Sequence, residues 1–152
     1  AGTATQFYYG DADTDFGKFA NLADARLRRI ETLDEFGHPV IAVPPWRPAI
    51  EGADDAHRVS APVGAYKPNP WGLYDMHGNA AEWTRSGYRP YPLVDDALDA
   101  GGENGLRVVR GGSFHDRPQR CRASFRLSYP AWQRVHNVGF RVVCEATDRV
   151  GG

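Results

Sequence analysis

Asn69-Pro70-Trp71-Gly72-Leu73-Tyr74-Asp75-Met76-His77-Gly78-Asn79-Ala80-Ala81-Glu82-Trp83 is the stretch whose reading decides the fold. Its first part is dense in turn formers and rings. Pro presets φ, Gly tolerates a left-handed backbone, and Asn and Asp bond their own neighbouring amides, so such a run reads as successive tight turns. Ala80 to Thr84 then reads as a short buried strand.

Toward the C-terminus, Tyr88 to Asn104 is a loop rich in Pro, Asp and Gly. Leu106-Arg107-Val108-Val109-Arg110 is β-prone and is stopped by Gly111-Gly112, ahead of Ser113-Phe114. A further short strand is expected at Cys121 to Phe125, and a closing strand over Val138-Gly139-Phe140-Arg141-Val142-Val143-Cys144. Toward the N-terminus, Gln6 to Gly10 is aromatic and ends in a turn. Asp11 to Asp15 is an acidic, turn-rich stretch. Asn21 to Phe36 places Leu22, Leu27, Ile30 and Leu33 at loosely helical spacing, with Asn21 as a cap. Pro39 to Ala61, with Pro44-Pro45-Trp46 and Asp54-Asp55, reads as a long ordered loop, a kind that usually works in function or is tied down by something.

The 152 residues suit one domain, and 17 Gly and 11 Pro beside 12% aromatics point to a loop-rich body pinned by rings. A formal net charge of −1 gives no electrostatic case for nucleic acid. Arg107, Arg110, Arg117, Arg120, Arg122 and Arg126 cluster late, which reads as structural ion pairs and a polar face. No run approaches the roughly 18 apolar residues of a membrane span. Cys121 and Cys144 read as two free thiols.

Three blocks in order, Asn69–Trp83, Arg107–Phe114 and Val138–Val143, resemble the sulfatase-modifying-factor superfamily, which includes the formylglycine-generating enzyme and the ergothioneine-pathway sulfoxide synthases. The resemblance implies an irregular, loop-rich α+β fold of the C-type-lectin-like kind, with little regular secondary structure. It implies that residues 1–152 are the C-terminal half of one domain, whose N-terminal half is absent from this chain or lies on a separate one. It is compatible with a secreted or periplasmic location.

The resemblance also implies structural Ca²⁺, a hard ion that takes 6–8 oxygens from carboxylates and turn carbonyls. One site would use the carboxylates of Asp75 and Glu82 with the carbonyls of Gly78 and Ala80. A second would use Asn21, the carbonyl of Leu22, Asp55 and the carbonyl of His57. In the formylglycine-generating enzyme two cysteines after Gly-Gly-Ser bind copper(I). Here Cys121 falls at the second of those positions and Asp116 at the first. A carboxylate with one thiolate is a poor linear copper(I) site, so that mechanism is not expected here.

Ser113, His115, Asp116 and Cys121 remain the candidate catalytic residues, with a transition metal of unspecified kind on His115, Asp116 and His136 as one arrangement. The leading expectation is an enzyme-family domain, a metal-dependent oxidoreductase with a cleft lined by Trp83, Arg110, Ser113, Phe114, His115, Asp116 and Cys121. The alternative is a binding module for a protein or small-molecule ligand, like the variable proteins of diversity-generating retroelements, displaying Phe114 to Asn137 with Tyr129 and Trp132 as rigid contacts. A third is a structural domain supporting a partner subunit.

Overall fold

The computed structural model of the protein describes residues 2–29, 31–41, 49–91 and 105–144. Regular structure is sparse among them. A 3-10 helix, Ala25–Arg29, is followed by the short strands β1 (Glu31–Leu33) and β2 (Pro39–Ile41). Then come β3 (Ala81–Gly87), β4 (Leu106–Arg110), the single helical turn α1 (Pro118–Cys121), β5 (Leu127–Pro130) and β6 (Val138–Phe140). β1 and β2 form an antiparallel hairpin. The other four strands form one sheet in the order β5-β4-β3-β6. No helix among the described residues is long and apolar enough to cross a membrane.

The sheet is where the three sequence blocks meet. β3 runs antiparallel to β4, with Glu82 opposite Arg110 and Trp83 opposite Val109. It runs parallel to β6, with Glu82 opposite Gly139 and Trp83 opposite Phe140. β4 and β5 pair antiparallel, Val109 facing Leu127. Val108 and Val109 are both buried, so the sheet is covered on both faces at its centre.

Beyond the sheet, the apolar core gathers in two clusters. Phe7, Phe16, Ala20, Leu22, Ala53 and Cys121 form one buried cluster, and Ala23, Leu27 and Phe114 a second. Tyr9 stacks on both Phe7 and Phe19, and Tyr8 stacks on His77, so the aromatic N-terminal segment is packed ring on ring. Fully burying a Leu or Phe contributes roughly 1.5–3 kcal/mol, so a few such rings supply much of what a chain poor in helices needs.

Several local expectations are corrected. The helix expected over Asn21 to Phe36 is only the 3-10 segment, and Glu31–Leu33 pairs as a strand around a turn in which Asp34 accepts the amides of Phe36 and His38. Asn21 caps nothing. Its amide donates to the Val59 carbonyl (2.8 Å) and to Asn79 Oδ1 (3.2 Å). The strand expected at Cys121 to Phe125 is a helical turn followed by a bend, because Pro118 at the first helical position favours a helix start. The Pro39–Ala61 loop begins as β2, and its residues 42–48 lie outside the described residues, as do residues 92–104 of the loop after Tyr88.

Gly78 sits at φ +80°, and a Cβ there would overlap the Asn21 carbonyl and the Leu22 side chain. Gly64 is also left-handed, at φ +77°, but its nearest neighbour would be Tyr74 at 3.8 Å. Gly64→Ala is therefore expected to lose about 1–2 kcal/mol, the ordinary left-handed penalty. Gly78→Ala should lose at least about 2 kcal/mol more, because backbone must shift as well. Urea denaturation of the two variants side by side checks the difference.

Candidate functional site

The turn from Asp75 to Glu82 is the centre of the candidate site. Asp75 and Asn79 both hold positive φ, 55° and 65°, with Gly78 between them. Such backbone is strained outside glycine and persists only where the surroundings over-determine it. Here they do. Gly78 N–H donates to the Gly111 carbonyl (2.9 Å), Asn79 N–H to the Asn21 carbonyl (2.8 Å), and Phe114 N–H to the Asn79 carbonyl (3.0 Å). The Asn79 side chain accepts the Ala61 amide at 2.7 Å and donates to the Ala61 carbonyl at 3.2 Å. The sequence reading passed over Asn79 as a turn former. Its double role, left-handed backbone and buried amide, marks it only once Asn21 and Ala61 are seen to converge on it.

Asp75 and Glu82 come to the two ends of this turn with different partners. Asp75 Oδ2 accepts the Gly64 amide at 2.7 Å, while Asp75 Oδ1 is buried with no hydrogen-bond partner among the described residues. A buried carboxylate oxygen without a donor is costly, and a cation is one physical remedy. Glu82 is already engaged. Arg141 clasps both its oxygens, with Nε–O distances of 3.1 Å and Nη2–Oε1 of 2.8 Å, and the same guanidinium donates to the Tyr74 carbonyl. The Asp75 half of the expected calcium set thus fits a hard cation, whereas Glu82 would have to share its oxygens with Arg141.

Of the second expected set, Leu22 and His57 meet Asp55 through their backbone amides rather than the expected carbonyls, and the Asn21 side chain bonds Val59 and Asn79 instead. Asp55 Oδ2 accepts the Leu22 amide and Oδ1 the His57 amide, each at 2.9 Å. Asp24, which the sequence reading did not single out, joins them by accepting the Asp55 amide at 2.9 Å. Asp24 and Asp55 are both buried. Burial, and then the neighbouring Asp24 charge, push the Asp55 carboxyl up to about 6, although bonds from the His57 and Leu22 amides favour its ionised form. All four carboxylate oxygens of the Asp24–Asp55 pair thus accept backbone amides.

The run after Gly111-Gly112 is packed shut. Gly112 has φ +69°, and any Cβ there would collide with the Cys121 sulfur, so glycine is what lets the strand end close over this thiol. Cys121 is 0% exposed, and burial, with the Asp116 charge adding to it, holds its thiol well above the usual value. Asp116 is buried too. Its Oδ2 accepts the Ser113 hydroxyl (2.7 Å) and the Ser113 amide (3.1 Å), and its carbonyl accepts the Ala23 amide. Asn137 donates to Ser113 Oγ at 2.7 Å. His115 lies on Phe114 and edge-on to His136, with ring centres 4.7 and 5.2 Å apart. No three of His, Cys, Asp and Glu gather to hold an ion among the described residues. The expected set of Ser113, His115, Asp116 and Cys121 is therefore a buried hydrogen-bonded cluster beside a ring stack. The cleft expected from Trp83 to Cys121 is corrected as well, since Ser113, Phe114 and Asp116 are interior.

An open cavity of about 280 Å³ lies on the other side of Cys121. Thr3, residues 5–8, Asn69, Trp71, Met76, His77, Arg110, Gly111 and 121–123 line it. His77 Nδ1 must be the donor to the Cys121 carbonyl (2.7 Å), because a carbonyl can only accept. Burial keeps this imidazole below its usual pKa, against the effect of that bond. In the Phe114–Asn137 stretch, Trp132 is exposed as expected of a displayed contact, whereas Tyr129 is half-buried against the edge of Trp83. Cys121 and Cys144 are both free, one buried and one exposed.

The formylglycine-generating enzyme of Streptomyces coelicolor is 36% identical over 105 residues, 65% of this chain and 33% of the relative. The inactive C-alpha-formylglycine-generating enzyme 2 of Mus musculus is 34% identical over 105 residues, 65% of this chain and 30% of that protein. The chain thus spans about a third of the length of these curated relatives. Among solved structures, PvdO from Pseudomonas aeruginosa superposes with a TM-score of 0.55 at 24% identity, covering 82% of this chain and 38% of its own. Treponema denticola variable protein 1 superposes with a TM-score of 0.59 at 22% identity, covering 91% and 40%. These two likenesses establish the irregular α+β, C-type-lectin-like fold. The family described as sulfatase-modifying factor enzyme 1-like domain matches residues 3–146, and the chain belongs to it.

Proposed function

We propose that this chain works as a calcium-stabilised, ligand-binding domain of the formylglycine-generating-enzyme type and does not oxidise cysteine through copper(I). One observation carries the reading: where copper chemistry would need its first thiolate stands Asp116, whose carboxylate is taken up by Ser113. A soft ion that prefers two thiolates in line gains little from a hard carboxylate that is already bonded. Cys121, the remaining thiol, is inaccessible and held protonated by burial. The likeness to an inactive relative supports the same reading.

A second reading keeps oxidoreductase chemistry with another metal, supplied jointly with the rest of the domain. The 36% identity to the formylglycine-generating enzyme of Streptomyces coelicolor favours it. On either reading a complementary half of the domain, in the same protein or on a separate chain, is the expected partner.

Copper(I) titration against a competing chelator, with oxygen uptake followed in parallel, tests the leading proposal. Tight binding that disappears in Cys121→Ser, together with oxygen uptake, overturns it. Alkylation at pH 8 should label Cys144 in minutes and leave Cys121 unmodified until denaturant is added, as read by peptide mass spectrometry. For calcium, removing the ion with chelator should lower the melting temperature by roughly 5–10 °C from a sample holding free Ca²⁺ about 100-fold above Kd. Asp75→Asn should shrink that calcium-dependent shift. Asp75 is a cleaner probe than Glu82, whose loss would also break the Arg141 pair.

A further inference from the structure

We infer that the cavity beside Cys121 binds an organic carboxylate that carries a flat apolar group. This rests on the ligand-binding reading above and gives it a site and a ligand class.

The lining contains two guanidinium groups, Arg110 and Arg122, and no carboxylate. Neither arginine is ion-paired among the described residues. Arg110 donates one Nη2 hydrogen to the Ala123 carbonyl, which leaves its charge uncompensated. The obvious acid is its cross-strand neighbour Glu82, and that carboxylate is held by Arg141. Arg122 projects at the exposed C-terminal edge of α1. A guanidinium presents a planar fork of donors that matches a carboxylate. Gln6 adds a side-chain amide to the wall, while the Thr5 hydroxyl already donates to the Phe7 carbonyl at 2.6 Å. His77 adds no negative charge, and its donated bond to the Cys121 carbonyl fixes the ring in place.

Trp71 supplies an apolar part of the lining and is 69% exposed. Two bonds from backbone amides to Asn69 Oδ1, those of Trp71 (2.9 Å) and Leu73 (3.0 Å), fix the loop that carries it. A rigid, exposed indole beside two cations is a stacking platform for a planar group that reaches the arginines with its charged end. The volume, about 280 Å³, lies at the small end of ligand pockets, which run roughly 300–1,000 Å³, so the bound part has the size of one or two residues.

Calorimetric titration of the intact protein with benzoate, benzamide, inorganic phosphate and a tripeptide ending in phenylalanine tests this. Benzoate or the tripeptide with a free C-terminus should bind at least tenfold more tightly than benzamide or the amidated peptide, and more tightly than phosphate. The ratio of benzoate to tripeptide tells a free small acid from a chain terminus. Arg110→Gln, Arg122→Gln and Trp71→Ala should each weaken the preferred probe about tenfold, and Arg117→Gln, outside the lining, should not. Arg122 is exposed, so R122Q keeps the test decisive if R110Q disturbs the strand end. Equal binding of benzoate and benzamide, tighter binding of phosphate, or wild-type affinity in R122Q overturns the carboxylate assignment and leaves the ligand-binding reading standing. Copper(I) turnover at Cys121 overturns that reading whatever the probes do.

Discussion

Asn79 is tied into three other segments by five hydrogen bonds, and the rest of the body is hung on them. Its amide and carbonyl link Asn21 to Phe114, and its side chain receives Ala61 and Asn21 while donating back to Ala61. A fold with so little helix and sheet must satisfy its buried backbone groups by other means. A buried group left without a partner costs about 1–3 kcal/mol, so one side chain that settles several such groups at once decides whether the turn can be interior at all. The positive φ at Asn79 is the local cost of aiming its amide that way. Gly78 next to it completes the arrangement by letting the Asn21 segment approach to backbone contact.

The same logic explains the run after Gly111-Gly112. Gly112 admits the Cys121 sulfur against the strand end, and Asp116 is bound on all sides by Ser113, Ala23 and, at 3.7 Å, Arg120. A residue that a metal would need free is thereby spent on packing. The neighbouring cavity is lined instead by Arg110, Arg122 and the exposed Trp71, with the buried His77 at its wall.

Much of this was legible in the sequence where the signal is local. Turn formers from Pro68 to Asn79, the β-prone run ending at Gly111, and the Gly139-Phe140 strand each announce themselves by composition, and their adjacency in the sheet follows. Family resemblance points to Asp55 as a partner of Leu22 and His57, and Asp55 accepts the amide of each. Other features depend on distant partners and could not be read. Asn21 looks like a helix cap because a cap and a long-range amide bridge use the same residue type. Arg141 looks like a surface strand residue until Tyr74 and Glu82 are placed at its tip. Asp24 becomes visible only when Asp55 is folded onto it. The cavity was missed because its walls come from four segments that no spacing rule connects.

The ion pair between Glu82 and Arg141 closes a loop of 59 residues, and the Asn21–Asn79 bridge closes one of 58. Most tertiary contacts join positions far apart in sequence, so the chain must search for its topology before those contacts reward it. Until β6 arrives, one edge of β3 stands open with backbone groups ready to pair with any passing strand. Biogenesis of such a body is a race between intramolecular closure and self-association, which makes dilution and slow synthesis matter for recovering soluble material more than any single stabilising contact does.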